Sequence, residues 1–173
     1  ADWLIGETVA PPAPGTGPFR SLMNPPAFFT NVDNDGDTIP ETKCAHPDHI
    51  SKLCVTPDDT GGRHINNGIP NKAAFLIING GQFNGFDIQG IGIPKAQQLY
   101  YYVLANVMGP NTSFEDAAEA TIGAAFVFAT MNPPFAGFTY QGVHNDLCTV
   151  ENAFASVGLA TQFADQDCDG TPD

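Results

Sequence analysis

Positive charge is scarce in this chain: six Lys and Arg residues stand against 19 Asp and Glu, for a net charge of −13. Such a chain repels polyanions, which argues against nucleic acid and acidic lipid headgroups as partners. A C-x-x-C pair is missing too, so Cys44, Cys54, Cys148 and Cys168 do not read as a thiolate zinc site. No His is followed by Glu, so the zinc-binding His-Glu-x-x-His helix is absent from the sequence. Residues 120–143 carry no charge, but Gly123, Asn132, Pro133, Pro134 and Gly137 interrupt them. That pattern predicts a buried helix followed by a loop, with no membrane span. There is no signal peptide and the chain starts at Ala1 without Met, so a mature, trimmed or excised piece is expected.

What is present fits one domain with a real core, or one domain plus a short appendage: 173 residues, 42% of them hydrophobic. Thirteen Phe residues argue against disorder, while 18 Gly and 15 Pro predict many ordered turns and long loops. An even cysteine count in such a chain points to disulfides and an oxidising, extracellular setting. Three pairings are possible. Proximity favours Cys44–Cys54 and Cys148–Cys168, each worth roughly 2–3 kcal/mol for a loop that short. Acids gather at 33–41 and 165–173, which suggests bound cations rather than a solvated acidic face.

Residues 1–30 look irregular, and an Asp-rich insertion occupies 31–45. Helix begins near Ile69, with Pro70 in its first turn, an apolar run from Ala73 to Ile78, and Gly80-Gly81 as its stop. A second helix starts near Pro94, with Ala96, Leu99, Tyr100, Val103, Leu104 and Val107 on one stripe. Thr112-Ser113-Phe114-Glu115 reads as a capping box for a third, which buries Phe114, Ala117, Ala118, Thr121, Ile122 and Ala125. A fourth follows Asp146, with Leu147, Val150, Phe154 and Val157 inward and Gly158 as its stop. Strand alternation is weak outside 86–91. The expected class is mainly α, with long Pro/Gly-rich loops.

The segment Asp59-Thr60-Gly61-Gly62-Arg63-His64-Ile65-Asn66-Asn67-Gly68-Ile69-Pro70-Asn71-Lys72-Ala73 presents one His between a Gly pair and an Asn-rich turn, just ahead of a helix. It resembles the proton-donating segment of the thermolysin-like zinc peptidases, the M4 family. The resemblance runs over residues 1–159, from Asp2-Trp3-Leu4-Ile5-Gly6-Glu7 through Phe19-Arg20-Ser21-Leu22-Met23 and His46-Pro47-Asp48-His49-Ile50-Ser51-Lys52. It ends at Asn152-Ala153-Phe154-Ala155-Ser156-Val157-Gly158. Each motif alone is weak; their order and spacing together are specific.

The resemblance implies the C-terminal helical domain (residues 1–160) of a secreted zinc metalloendopeptidase. The zinc and its ligands would come from an N-terminal catalytic half upstream of Ala1, so the isolated chain is expected to be inactive, one half of an active site. By resemblance, His64 donates a hydrogen bond to the oxyanion formed when a peptide carbonyl is attacked, a contribution typically on the order of 10²–10³ in rate. Asp59 holds that imidazole, fixing its tautomer and making the other nitrogen a better donor. Arg20 grips a backbone carbonyl of the peptide or protein substrate. Ile5, Val9 and Phe19 form an apolar pocket that favours large side chains by roughly 1–3 kcal/mol. Thr60 and Arg63 depart from the residues usual at their positions.

Calcium is the second implied ion. Asp2 and Glu7 match two ligands of the family's double calcium site. Asp33, Asp35, Asp37 and Glu41, and again Asp165, Asp167, Asp169 and Asp173, sit in segments resembling thrombospondin type 3 calcium repeats; the second would begin such a repeat over 161–173. Thr38 departs from the Gly expected in the first loop. His46 and His49 have helix-face spacing, but Pro47 and Asp48 predict a turn, so no zinc is expected there. His144 carries no motif. The rival reading is a non-catalytic calcium-binding or adhesive module derived from the same domain.

Overall fold

A computed structural model describes residues 3–5, 20–32, 42–131, 133–139 and 145–160. The chain divides into two compact units, 1–75 and 76–173, with the boundary inside one helix.

The first unit is built from short pieces. Strand β1 (Leu4–Ile5) pairs antiparallel with β2 (Arg20–Ser21), which sets Ile5 opposite Arg20. Trp3 packs edge-on against Phe75, with ring centroids 5.1 Å apart. Strands β3 (Phe29–Val32) and β4 (Thr42–Ala45) pair from Phe29–Ala45 to Val32–Thr42. They flank the Asp-rich segment in sequence, so reading 1–30 as irregular and 31–45 as an insertion missed two short antiparallel pairs. These strands are too short for alternation to register in sequence. A 3-10 turn over Ile50–Lys52 is capped by His49, whose Nδ1 accepts from the Ser51 N–H at 3.1 Å. That is a structural task for a residue whose spacing had raised the question of zinc.

Helix α1 (Asp59–Asn66) follows, and Asn67 separates it from α2 (Gly68–Asn79). Helix α2 matches the expected buried helix: Ala73, Phe75, Leu76 and Ile77 are all buried. It stops at Gly80, whose N–H donates to the Leu76 carbonyl at 2.8 Å. There φ is +73°, and a Cβ would lie 2.4 Å from the Ile88 carbonyl oxygen, so only glycine fits.

The second unit is helical. Strands β5 (Gly81–Phe83) and β6 (Phe86–Ile88) form a hairpin around Asn84-Gly85, ahead of α3 (Gly92–Asn106), α4 (Phe114–Thr130) and α5 (Asp146–Ser156). Helix α4 packs on both α3 and α5. Leu99, Val103, Ala118, Thr121, Ala125, Val150, Ala153 and Val157 are essentially inaccessible. Large apolar residues among them stabilise by roughly 1.5–3 kcal/mol each. Around Phe128 gather Tyr102, Phe135 and Phe138, with ring centroids 4.5–5.4 Å away. Lys95 Nζ reaches the buried Asp146 Oδ2 at 2.7 Å, and the Thr139 N–H donates to the same oxygen at 2.6 Å.

Two helix expectations need correction. The α3 stripe ends at Val103: Leu104 is 70% and Val107 51% exposed. The capping box sits one residue later than expected. Ser113 is the cap, exchanging hydrogen bonds with Asp116. The Thr112 hydroxyl is taken by the Gly109 N–H at 2.8 Å. The uncharged stretch resolves into α4 and a 3-10 turn over Phe135–Gly137. Among the described residues, no helix is long and apolar enough to cross a membrane.

Candidate functional site: a braced imidazole on a left-handed turn

Asp59, Thr60, Gly61 and Gly62 all have positive φ, at 50°, 55°, 84° and 72°. Only from Arg63 does α1 wind right-handed. The segment is thus one left-handed turn, closed by the Gly61 and Gly62 N–H groups donating to the Asp58 carbonyl at 3.1 and 2.9 Å. Glycine tolerates this conformation; Asp59 and Thr60 do so at a cost of about 1–2 kcal/mol each. The reversal carries the Asp59 carboxylate back onto the residue five positions ahead. Its Oδ2 accepts the His64 backbone N–H at 2.6 Å, and its Oδ1 lies 2.5 Å from His64 Nδ1.

One carboxylate therefore holds both the backbone and the ring of His64. With Oδ1 an acceptor, Nδ1 carries a hydrogen, and Nε2 is left for other chemistry. The imidazole is 71% exposed, whereas Asp59 is 25% exposed. The hydrogen bond from His64 holds the Asp59 carboxyl below the usual carboxylate range.

Arg20 enters the same cluster, with Nη2 donating to the His64 carbonyl at 3.2 Å. Ile5 faces Arg20 across the β1–β2 pair and is 38% exposed. The structure thus brings together His64, Asp59, Arg20 and Ile5. Val9 and Phe19 lie outside the described residues, as do Asp2, Glu7, Asp33, Asp35, Asp37, Glu41, Asp165, Asp167, Asp169 and Asp173. Among the described residues, no group of three or more His, Cys, Asp or Glu side chains could hold a metal ion.

Cys44 and Cys54 form the expected disulfide, with Cα atoms 6.0 Å apart. Cys148 is disulfide-bonded as well; Cys168, the remaining cysteine of the sequence, lies outside the described residues. Beside the first bridge is a mostly apolar cleft of about 330 Å³, lined by Pro26, His46, Leu53 and Val55 among others. None of His64, Asp59 and Arg20 lines it. His46 is 4% exposed, and burial, with Arg20 nearby, pushes its imidazole pKa down.

Sequence reasoning passed over Asn66. Its side chain is buried and spans the Cys54 peptide: Oδ1 accepts the Cys54 N–H and Nδ2 donates to the Cys54 carbonyl, both at 2.9 Å. Nothing local in the sequence marked it, since its burial and its partner twelve residues away are set by the fold.

Residues 1–159 match the family described as "Thermolysin metallopeptidase, alpha-helical domain". The chain belongs to this family. Neutral protease B of Bacillus subtilis is 36% identical over 158 residues, covering 91% of this chain and 24% of the relative. Bacillolysin of Brevibacillus brevis is 35% identical over 124 residues, covering 72% and 20%. Thermolysin of Alicyclobacillus acidocaldarius is 32% identical over 158 residues, covering 91% and 24%. The chain therefore spans about a fifth to a quarter of the length of these relatives. The mainly α thermolysin-type helical domain expected from sequence is the fold observed.

Proposed function

We propose that this chain supplies the transition-state-stabilising edge of a secreted thermolysin-like metalloendopeptidase. His64 is the hydrogen-bond and proton donor, Asp59 its brace, and Arg20 the group that binds a substrate carbonyl. The observation that carries this reading is the two-point hold of Asp59 on His64, with the ring still open to solvent. An imidazole fixed at its backbone and at Nδ1 presents Nε2 in one orientation. A fixed donor is worth more to a developing oxyanion than a mobile one, because little reorganisation remains when charge appears.

In this family zinc supplies Lewis-acid activation of water. The sequence carries no His-Glu-x-x-His segment, and in this reading the metal would be held by another part of the intact protein. Alone, the chain would bind no zinc tightly and cleave no peptide. Residues 1–160 would be the peptidase helical domain, and 161–173 the start of a calcium-binding repeat. Calcium at Asp2, Glu7 and the two acidic segments, and an apolar pocket at Ile5, Val9 and Phe19, complete the proposal.

His64→Ala in the intact peptidase tests it. The expected result is a fall in kcat on the order of 10²–10³ with KM little changed, the mark of an interaction made in the transition state. Activity close to that of the unsubstituted enzyme removes His64 from the mechanism.

A further inference from the structure

The left-handed turn at 59–62 does not hold itself. Its two non-glycine residues sit in a conformation that favours unwinding, and the Asp59–His64 contact is exposed to competing water. Something must over-determine it. The amide of Asn66 lies beneath the turn at 4% exposure. Besides gripping both polar groups of the Cys54 peptide, its Nδ2 donates to the Gly61 carbonyl at 3.3 Å. The fit around it is close: a Cβ on Gly62 would come 2.9 Å from the Cys54 oxygen and 3.0 Å from Asn66 Nδ2. Cys54 is itself tied to β4 through Cys44. The polarity of the Cys54 peptide admits only one orientation of the Asn66 amide, with oxygen to N–H and nitrogen to carbonyl.

We propose that Asn66 is a positioning residue for the His64–Asp59 pair, its buried amide pinning the left-handed turn to the disulfide-anchored Cys54 peptide. Removing it leaves the Cys54 N–H and carbonyl without their partner and frees the Gly61 carbonyl, so the turn relaxes and Asp59 leaves His64. The proposal rests on the reading of His64 as the donor for its relevance to catalysis. Its geometry is tested without activity, so failure of the clamp and failure of the peptidase reading are separable.

The test is made on the full chain by two readouts, NMR titration of the Asp59 carboxyl and amide hydrogen exchange at His64. In Asn66→Ala the Asp59 midpoint should rise toward the ordinary carboxylate value, and the His64 amide should lose protection. Ile69→Ala, also in the first unit and fully buried in the native chain, should lower the melting temperature yet leave both readouts unchanged. If Asn66→Ala does not fold, amide exchange in the unsubstituted chain decides the matter. In the unsubstituted chain the amides of Cys54 and His64 should open in one event, and adding a thiol reductant should speed exchange at both together. Unchanged Asp59 titration in a folded Asn66 variant, or independent opening of the two amides, overturns the proposal. In the intact peptidase Asn66→Ala should lower kcat roughly 10- to 100-fold with KM held, by analogy with the groups that orient metal ligands.

Discussion

The two units solve the same problem in opposite ways. The described part of 76–173 is ordered chiefly by burial: helix faces meet over Leu99, Val103, Thr121, Val150 and Val157, and a capping box and a glycine stop mark the ends, with the Lys95–Asp146 pair and the Cys148 disulfide added to that core. The described part of 1–75 buries a smaller set around Ile65, Ile69 and Ala73 and leans more on polar and covalent ties: two- and four-residue strands, a disulfide, and one asparagine that grips both backbone groups of the distant Cys54. Strain is handled differently too. In the helical unit, positive φ beyond glycine occurs at Asn84 in a hairpin and at Ala136 in a 3-10 turn. In the other unit it falls on Trp3, and on Asp59 and Thr60 in the turn that presents the candidate donor. The strained turn of the first unit carries cross-ties of its own, from Asn66 and from the disulfide-bonded Cys54, and the candidate site is found on it.

That contrast predicts separable weaknesses. Leu99→Ala should have the largest effect on stability, about 2–5 kcal/mol, and it should accelerate amide exchange in α3, α4 and α5. Replacing Cys44 and Cys54 together by Ser, which leaves the Cys148 bridge intact, should cost less, about 2–3 kcal/mol, and act first on amides of 42–66. If that replacement opened the helical unit as readily as its neighbour, the distinction between burial and cross-ties would fail.

The sequence made the burial-driven half readable, because its signals are local. Helices α2 to α5 follow from apolar spacing and from Gly or Pro at their ends. Errors arose where two local signals tied. Thr112 with Glu115 and Ser113 with Asp116 are equally good capping boxes, and only the claim of the Gly109 N–H on the Thr112 hydroxyl breaks the tie. Leu104 and Val107 fit the stripe of α3 in spacing, yet they stand exposed. In the half built from cross-ties, the Cys44–Cys54 bridge followed from proximity in sequence, while the candidate site was legible only through family resemblance. Resemblance pointed to His64, Asp59 and Arg20, but nothing local marks Asp59 and Thr60 as left-handed, and the partner of Asn66 lies twelve residues away.

Acid should separate the units by the smallest margin, with a definite sign. Both shifted acid-range groups among the described residues lie in the first unit. His46 has its pKa lowered from an ordinary 6.5, chiefly by burial. The unfolded chain therefore takes up this proton first, and stability falls as pH drops below about 6.5. Asp59 has its pKa lowered from an ordinary 3.8, chiefly by the hydrogen bond from His64. Its contribution is present above that value and is lost as pH falls through the lower folded one. Acidification also relieves the repulsion of a chain at −13, which strengthens both units, so the informative quantity is the difference between them. Amide exchange followed from pH 7 to pH 3 should show the opening energy of 42–66 falling relative to that of α3 to α5, in two steps. His46→Gln should abolish the upper step and spare the lower, while Asp59→Asn should do the reverse. A difference that stayed flat across this range would mean that neither group is held by the ties assigned to it.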